Sequence, residues 1–341
     1  MKNIICIITI MFLFIGCSQK VQIKAVKAAK ITNKSIKNIG VLSFRNDKIS
    51  QSIQINSAIS NVKINNKKYF TLVDKNDIDS ILEEQKLNDS GLVNSIKNSS
   101  INGLSQIQTL VMGEVIANDM TSSIFQELRT DYDTCLKTYQ SKGNTYCSKY
   151  KKYKVACQSN TYDVKTNIKL IQVNNGKTIF SNTYAKTSHY KHCSDDSYTL
   201  PNKTTENSRL AYEIADDLVK DIAPSYIYFS ITLLEDIDID LTDKQEVLFQ
   251  NSLEMIEYKR INKANKMLSK LNRELHSKSY VVLYNLAITE EILGNIKQAY
   301  EFLKQAEDIS LESEGVVEEI VLYMKKTEQN LSEKRKVNKQ L

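Results

Sequence analysis

An apolar run that is followed by a glycine and then a cysteine constrains this chain more than any other sequence feature. The run covers residues 4–15 and follows Lys2, the one basic residue of this segment. It is about 12 residues long, and a membrane-spanning helix needs roughly 20, so we expect a signal peptide over 1–16 rather than an uncleaved transmembrane helix. Gly16 and Cys17 have the pattern at which bacteria cleave and acylate exported proteins. Cys17 is therefore the predicted lipidation site, where palmitate-like chains anchor the mature protein.

Export decides which partners are expected. Ser18 follows the cysteine, and a non-acidic residue there directs Gram-negative lipoproteins to the outer membrane. We therefore expect a lipid-anchored protein of the cell envelope that faces the periplasm. The chain has 46 basic and 40 acidic residues, which gives a formal net charge of +6. This mild excess is typical of a soluble protein, and no nucleic-acid partner is expected for an exported chain.

Six cysteines are present, and two of them are not expected to form disulfides. Cys6 belongs to the signal peptide, and Cys17 carries the lipid. An even number of thiols in an oxidising compartment predicts two disulfides. Four cysteines allow three pairings, and the sequence does not choose among them. The candidates are Cys135, Cys147, Cys157 and Cys193.

The first part of the mature chain predicts an α/β domain. Residues 17–35 are polar and rich in lysine, and we interpret them as a lipidated tether. From 36 to 236, short apolar runs alternate with helical patterns, which favours a mixed sheet with flanking helices. The strongest hairpin signal covers 164–187, where alternating residues flank an Asn-Asn-Gly turn. The predicted strands are 39–44, 69–74, 109–116, 164–172, 178–187 and 226–234, and the predicted helices are 49–64, 76–85 and 205–222. A polar linker is expected over 88–103.

The rest of the chain predicts an all-α domain over 242–330 and a charged tail over 331–341. Leu283, Ala287, Gly294 and Ala299 match the packing positions of a tetratricopeptide repeat, and a weaker copy precedes them. A generic stack of helical hairpins is the alternative. The predicted helices are 243–257, 260–272, 279–293, 296–308 and 313–329.

The sequence has no motif that indicates an enzyme. It contains no zinc-protease, nucleophile-elbow, P-loop or dinucleotide-binding pattern. We therefore expect a non-catalytic protein without a cofactor. A weaker alternative is a zinc site at His189, His192 and Cys193, because imidazole and thiolate groups are zinc ligands. The simpler interpretation places Cys193 in a disulfide and both histidines in an exposed loop.

Four segments resemble the curli production assembly/transport (CsgG-like) lipoprotein family. They are IKNIGVLSFRN from Ile36, KYFTLVDKNDIDSILEEQKLNDSG from Lys68, LVMGEV from Leu110 and VKTNIKLIQVNNGKTIFSNTY from Val164. The second is the most specific, because an acidic residue ends a strand and leads into an Asp/Ile/Leu helix. The resemblance covers about 200 residues and implies an α/β fold with a TolB-like amino-terminal topology. It also implies an envelope lipoprotein.

The channel members of this family contribute two long amphipathic hairpins per subunit to a membrane pore. The corresponding insertions here are 121–160 and 186–204, and both are rich in lysine and tyrosine. Each lysine near the bilayer midplane costs about 2–4 kcal/mol, so we expect polar, disulfide-pinned insertions without an apolar face.

These features lead to one main hypothesis and two alternatives. The main hypothesis is a non-catalytic assembly, scaffold or secretion-support factor that binds envelope proteins through its repeat domain. The inner helices 243–257 and 279–293 are the expected binding surface. The alternatives are an oligomeric secretion channel and an activator of a cell-wall synthase. A homo-oligomer is compatible with each of them.

Overall fold

The computed structural model describes residues 19–31, 36–73, 107–173 and 175–341. It contains two compact units. The α/β unit comprises 29–224 together with the last two residues, and the helical unit comprises the described residues before Ala29 together with 225–339. The predicted signal peptide, Cys17, the helix at 76–85 and the linker at 88–103 lie outside the described residues.

A five-stranded mixed sheet forms the centre of the α/β unit, with strand order β5-β2-β6-β7-β8. Strand β2 is parallel to both β5 and β6, whereas β6, β7 and β8 are antiparallel neighbours. This arrangement, followed by a helical unit, confirms the predicted fold class. The strands are β2 (Asn38–Val41), β5 (Thr71–Leu72), β6 (Thr109–Ser141), β7 (Asn144–Gln172) and β8 (Thr178–Cys193), and a separate small hairpin pairs β3 (Lys63–Ile64) with β4 (Lys67–Lys68).

Two helices belong to the α/β unit. They are α1 (Gln51–Ser60) and α2 (Lys203–Ile222). Asn202 caps the start of helix α2: its side chain accepts a hydrogen bond from the Thr205 amide at 2.9 Å and so satisfies a free donor of the first turn. Its apolar residues recur with helical spacing and are buried, as the sequence predicts. They are Leu210, Ala211, Ile214, Ala215, Leu218 and Ile222.

Strands β6 and β7 are much longer than the sequence predicts. The polar segment 121–160, predicted as an insertion, instead continues both strands as one antiparallel ladder that turns at Gly143, where φ is +80°. The apolar run from Thr109 is thus the first part of a 33-residue strand. Polar residues can continue a strand because the ladder satisfies the backbone of each partner, whatever the side chains are.

Residues 20–27, predicted as part of a tether, form strand β1 (Lys20–Lys27). This strand pairs antiparallel with β9 (Ser225–Thr232) over eight residue pairs. Ile23 and Ala25 face inward and are buried, while Lys24 between them is exposed, as are Lys20 and Lys27 at the ends of the strand. The predicted last strand of the α/β domain therefore lies in the helical unit. A lysine-rich outer face concealed the short alternation of β1.

Five helices complete the helical unit, and their positions agree closely with the predicted segments. The last one differs, because the predicted charged tail is helical to Gln340 and Val337 is buried. Buried side chains of the helices and of the β1–β9 pair form one apolar cluster. The helices are α3 (Asp243–Glu257), α4 (Ile261–Glu274), α5 (Tyr280–Ile292), α6 (Ile296–Ser313) and α7 (Glu318–Gln340).

Candidate functional site

The most distinctive surface of the molecule is the outer hairpin, which we define as residues 126–156. Strand β8 pairs with β7 as far as Cys157, and beyond that residue β6 and β7 pair with each other alone among the described strands. With about 3.3 Å per residue, the outer hairpin extends the sheet by about 40 Å. A two-stranded ribbon of this length has both faces open to contact with a partner.

One face of β6 carries exposed apolar side chains at every fourth residue. Met120 is 39% exposed, Ile124 82% and Leu128 60%. Residues an even number apart share a face of a strand, so these three side chains lie on the same side. Tyr132 is 74% exposed and contacts Tyr150 edge to face at 5.1 Å between ring centroids. We call Met120, Ile124, Leu128 and Tyr132 the apolar stripe.

The apolar stripe corrects the expectation that the insertion at 121–160 lacks an apolar face. Polar residues separate its members, and polar residues of β7 lie opposite two of them, Gln158 opposite Ile124 and Lys154 opposite Leu128. On β6, every second side chain of this face is therefore apolar. The composition of the segment does not reveal this apolar row, because the many lysines of β7 outweigh it. The spacing of apolar residues along β6 alone does reveal it.

The tip of the outer hairpin is aromatic and basic. Tyr139 and Tyr146 lie opposite each other and stack at 5.6 Å between centroids. Both are about half exposed. The outer hairpin contains seven basic residues and three acidic ones, so it carries a positive charge. Exposed tyrosine and lysine side chains favour polar or anionic partner surfaces.

Two disulfides cross-link this part of the sheet, one at the base of the outer hairpin and one within it. Cys157 and Cys193 lie opposite each other on β7 and β8, and their bond closes the end of the three-stranded part. Both are buried, with Val155 and the partly buried Phe125 packed around them. The second disulfide joins Cys135 to Cys147 across the outer hairpin. The structure thus has the two disulfides expected from the sequence and selects one of the three pairings left open.

Ion pairs connect the base of the outer hairpin to the loop that follows β8. The Arg129 guanidinium lies 3.3 Å from Asp195 and 3.2 Å from Asp196. Asp196 also accepts a hydrogen bond of 2.6 Å from the backbone amide of Cys193. These donors favour the ionised carboxylate, so they lower the pKa of Asp196. Lys191 pairs with Glu127 at 2.7 Å, which adds a second link between β8 and β6.

The structure does not bring the weaker zinc candidates together. His189 and His192 are three residues apart on β8, so their side chains lie on opposite faces of the sheet. The Nδ1 atom of His189 lies 2.9 Å from the Thr161 hydroxyl, while the His192 ring contacts Tyr198 edge to face. The Cys193 sulfur is in the disulfide with Cys157 and offers no thiolate. Within the described part of the chain, Glu127 is the one other possible metal ligand near that disulfide.

Of the two inner helices predicted to bind a partner, α5 is largely covered by the chain itself, whereas α3 keeps an exposed face. Nearly every residue of α5 is buried. The Tyr284 hydroxyl donates to the Thr232 carbonyl at 3.0 Å, and the Asn285 amide donates to the Leu234 carbonyl at 2.6 Å. The end of β9 and the segment after it thus occupy the surface of α5 that a repeat domain would offer to a peptide. Sequence periodicity could not reveal a cover supplied by a distant strand.

The described fold is a mixed α/β sheet with a long hairpin, followed by a helical unit. Residues 18–125 match the family model of the curli production assembly/transport component CsgG. The match ends within β6 and confirms the predicted family resemblance over this segment. No curated protein matches the chain. Among the described residues, none of the helices combines the length and apolarity that crossing a membrane requires.

Several solved structures are similar to part of the chain. The lipoprotein GNA1162 from Neisseria meningitidis is 9% identical, with a TM-score of 0.23, and the match covers 53% of this chain and 97% of that one. The PelC dodecamer from Paraburkholderia phytofirmans is 10% identical, with a TM-score of 0.22 and coverage of 58% and 96%. A minor lipoprotein from Acinetobacter baumannii is 10% identical, with a TM-score of 0.20 and coverage of 54% and 84%.

Proposed function

We propose that this protein is a lipid-anchored, non-catalytic factor that supports the assembly or secretion of a structure of the cell envelope. In this proposal Cys17 carries the lipid, the protein faces the periplasm from the outer membrane, and the apolar stripe, which runs into the outer hairpin, binds the partner. The match of residues 18–125 to an assembly/transport family supports the class of function. The single observation that carries the binding role is the exposed apolar stripe.

The stripe supports binding because its side chains are exposed and contribute little to the core of the α/β unit. Ile124 and Leu128 are among the most exposed large apolar residues of the described chain. Single exposed apolar residues are common on protein surfaces, but these four lie in a regular row, and we infer a contact surface from that alignment. The two disulfides and the Arg129 ion pairs limit the freedom of the ribbon and thereby lower the entropic cost of binding.

Site-specific photocrosslinking in intact cells tests this proposal. A photoreactive amino acid at Ile124 should capture an envelope protein, and the same group at Ser123 is the matched control. Ser123 is exposed and adjacent, yet its side chain lies on the opposite face of β6. Equal adducts from the two positions, or none from either, would contradict a binding role for the apolar stripe.

Acylation is tested separately. Cells grown with labelled palmitate should incorporate the label into the wild-type protein and not into the Cys17→Ser variant. Fractionation then distinguishes the outer membrane from the inner one. A wild-type protein that keeps its first residues and takes up no label would remove the anchor from the proposal, whatever the hairpin binds.

A second candidate function, an oligomeric secretion channel, is favoured by the regular spacing of the apolar stripe. The polar residues opposite the stripe, Gln158 across from Ile124 and Lys154 across from Leu128, count against a face exposed to lipid. Conductance of the purified protein in planar bilayers separates the two candidates. Stable conductance steps that disappear in an Ile124→Lys variant would favour the channel over the support factor.

A further inference from the structure

The chain is fastened to the helical unit two residues after the predicted lipidation site. The Gln19 amide donates to the Glu235 carboxylate at 2.7 Å, and the Gln19 carbonyl accepts from the Leu233 amide at 2.8 Å. Its side-chain amide donates to Glu257 at 3.1 Å. Gln19 thus contacts both the segment after β9 and the end of α3.

From Lys20 onward, a complete β-ladder joins the chain to the helical unit. Strand β1 pairs with β9 along its whole length, from Lys20 opposite Thr232 to Lys27 opposite Ser225. Ile23 is fully buried and packs in the same apolar cluster as the helices. Pulling β1 away would break a complete ladder and expose part of this core. The segment therefore acts as a fixed part of the helical unit and not as the flexible tether that its composition predicts.

These contacts limit the distance between the lipid and the helical unit. An extended chain spans at most about 3.5 Å per residue, so the Cα atoms of Cys17 and Gln19 are no more than about 7 Å apart. Acyl chains on Cys17 insert into the bilayer, which leaves Cys17 at the level of the headgroups. The surface around Gln19 must then lie beside the membrane. We define the anchor corner as Gln19, Lys20, Glu235, Asp236 and Glu257.

We propose that the anchor corner of the helical unit lies against the lipid headgroups and is held there by the short connection to acylated Cys17. The inference rests on the proposed acylation. It assigns a membrane-facing surface to the helical unit, whereas a flexible tether would leave its orientation free.

The charge of the anchor corner indicates how the contact is maintained. Glu235, Asp236 and Glu257 are exposed carboxylates, and Lys20 is the one cation of the corner. Anionic lipid repels such a surface, so the corner has no electrostatic attraction to the membrane of its own. The covalent anchor must therefore supply the binding energy. The anchor corner is brought to the membrane because β1 starts only a few residues after Cys17. A variant without the lipid should therefore show no preference for this orientation.

The absence of tryptophan from the chain provides a direct test. Asp236→Trp places a single indole at the anchor corner. Lys27→Trp is the matched control, because Lys27 is also exposed but lies at the other end of β1. The two ends of β1 are seven residue steps apart, which is about 23 Å. The acylated full-length variants are reconstituted in vesicles of phosphatidylethanolamine and phosphatidylglycerol, in which some headgroups carry a nitroxide quencher.

We expect the nitroxide lipids to quench the indole of the Asp236→Trp variant several-fold more strongly than that of the Lys27→Trp variant. A flexible Gly/Ser insertion of about 20 residues before Gln19, with a root-mean-square span of about 25 Å, should abolish the difference. Equal quenching of the two acylated variants, or stronger quenching of the control, would overturn the inference and leave the proposed function intact. Intact-mass measurement shows whether Cys17 is acylated, and a protein without lipid would remove the anchor from both proposals.

Discussion

Cys157 on β7 lies directly opposite Cys193, the last residue of β8, and the bond between them closes a loop of 36 residues. The bond between Cys135 and Cys147 closes a loop of 12. In the loop-entropy description, the first contributes about 4 kcal/mol to the free energy of unfolding and the second about 3 kcal/mol. The cysteine pair with the longer loop therefore matters more for stability.

Replacing each pair with serine tests this order. We expect the Cys157→Ser/Cys193→Ser variant to lose more stability in urea unfolding than the Cys135→Ser/Cys147→Ser variant. The buried position of the first pair adds to its loss, because two hydroxyls would enter a cluster that also contains Val155. The reduced wild-type protein serves as the control. If it unfolds at the same urea concentration as the oxidised protein, the disulfides contribute nothing.

The two disulfides should also differ in their reaction with a mild reductant. Cys135 is exposed and Cys147 is partly exposed, whereas Cys157 and Cys193 are buried. Thiol exchange requires access to a sulfur atom, so the outer bond should be reduced first. Partial reduction, alkylation and peptide mapping would show labelled Cys135 before labelled Cys157. Simultaneous labelling of both pairs would indicate that the sheet opens as a whole.

A buried carboxylate joins α5 to α7 in the helical unit. Glu291 is 3% exposed and accepts three hydrogen bonds of 2.8 Å, from Tyr323, Thr327 and Asn330. Burial and the nearby Glu291 raise the pKa of Tyr323, so its hydroxyl stays protonated and continues to donate. We expect Glu291→Ala to cost about 3 kcal/mol or more, since it leaves three buried donors without a partner.

Two further variants calibrate that loss. Tyr323→Phe removes one donor to a charged acceptor and should cost about 2 kcal/mol. Glu301→Ala lies on the exposed side of α6 and should change stability by less than about 0.5 kcal/mol. Urea unfolding followed by circular dichroism provides the three values. A loss at Glu291 no larger than the loss at Glu301 would show that the buried network does not hold α7.

The helices could be predicted from the sequence because their signals are local. In α2, Leu210, Ile214 and Leu218 recur with helical spacing, and Asn202 provides the cap. The hairpin of β7 and β8 was predicted for the same reason, because its turn at Gly176 lies between its two strands. In each case a few neighbouring residues contain the full pattern, so no knowledge of distant contacts is needed.

The features that the sequence did not reveal depend on distant partners. Strand β1 pairs with a strand some 200 residues later, and its alternation is too short to recognise without Ile231 and the helices on which it packs. The disulfide pairing depends on the register that places Cys157 opposite Cys193. The cover over α5 has the same origin, since Thr232 and Leu234 come from outside the repeat.

The pKa of Asp196 predicts a specific loss of stability in acid. Donation from the Cys193 amide and from Arg129 lowers this pKa in the folded state, so the ionised carboxylate stabilises the fold above its unfolded pKa, about 3.9. This contribution is lost as the pH falls through the lowered folded value. The melting temperature of the wild type should therefore decrease between about pH 5 and pH 2 by more than that of Asp196→Asn. Asp119→Asn is the control on the exposed part of β6, and an equal acid response in all three proteins would contradict the assignment.

Gly113 on β6 shows how tightly the α/β unit packs around its central strand. A methyl group at this position would overlap the Phe44 ring and lie 2.7 Å from the Asn167 carbonyl oxygen. The ring can turn, but the carbonyl belongs to the neighbouring strand β7 and cannot move without disturbing the ladder. We expect Gly113→Ala to lower the free energy of unfolding by about 1–3 kcal/mol. Because the carbonyl contact remains, adding Phe44→Leu should restore only part of this loss. The control is Gly143→Ala, where φ is +80° and no atom lies within 4 Å, so its cost of about 1 kcal/mol comes from the backbone alone and Phe44→Leu should not relieve it.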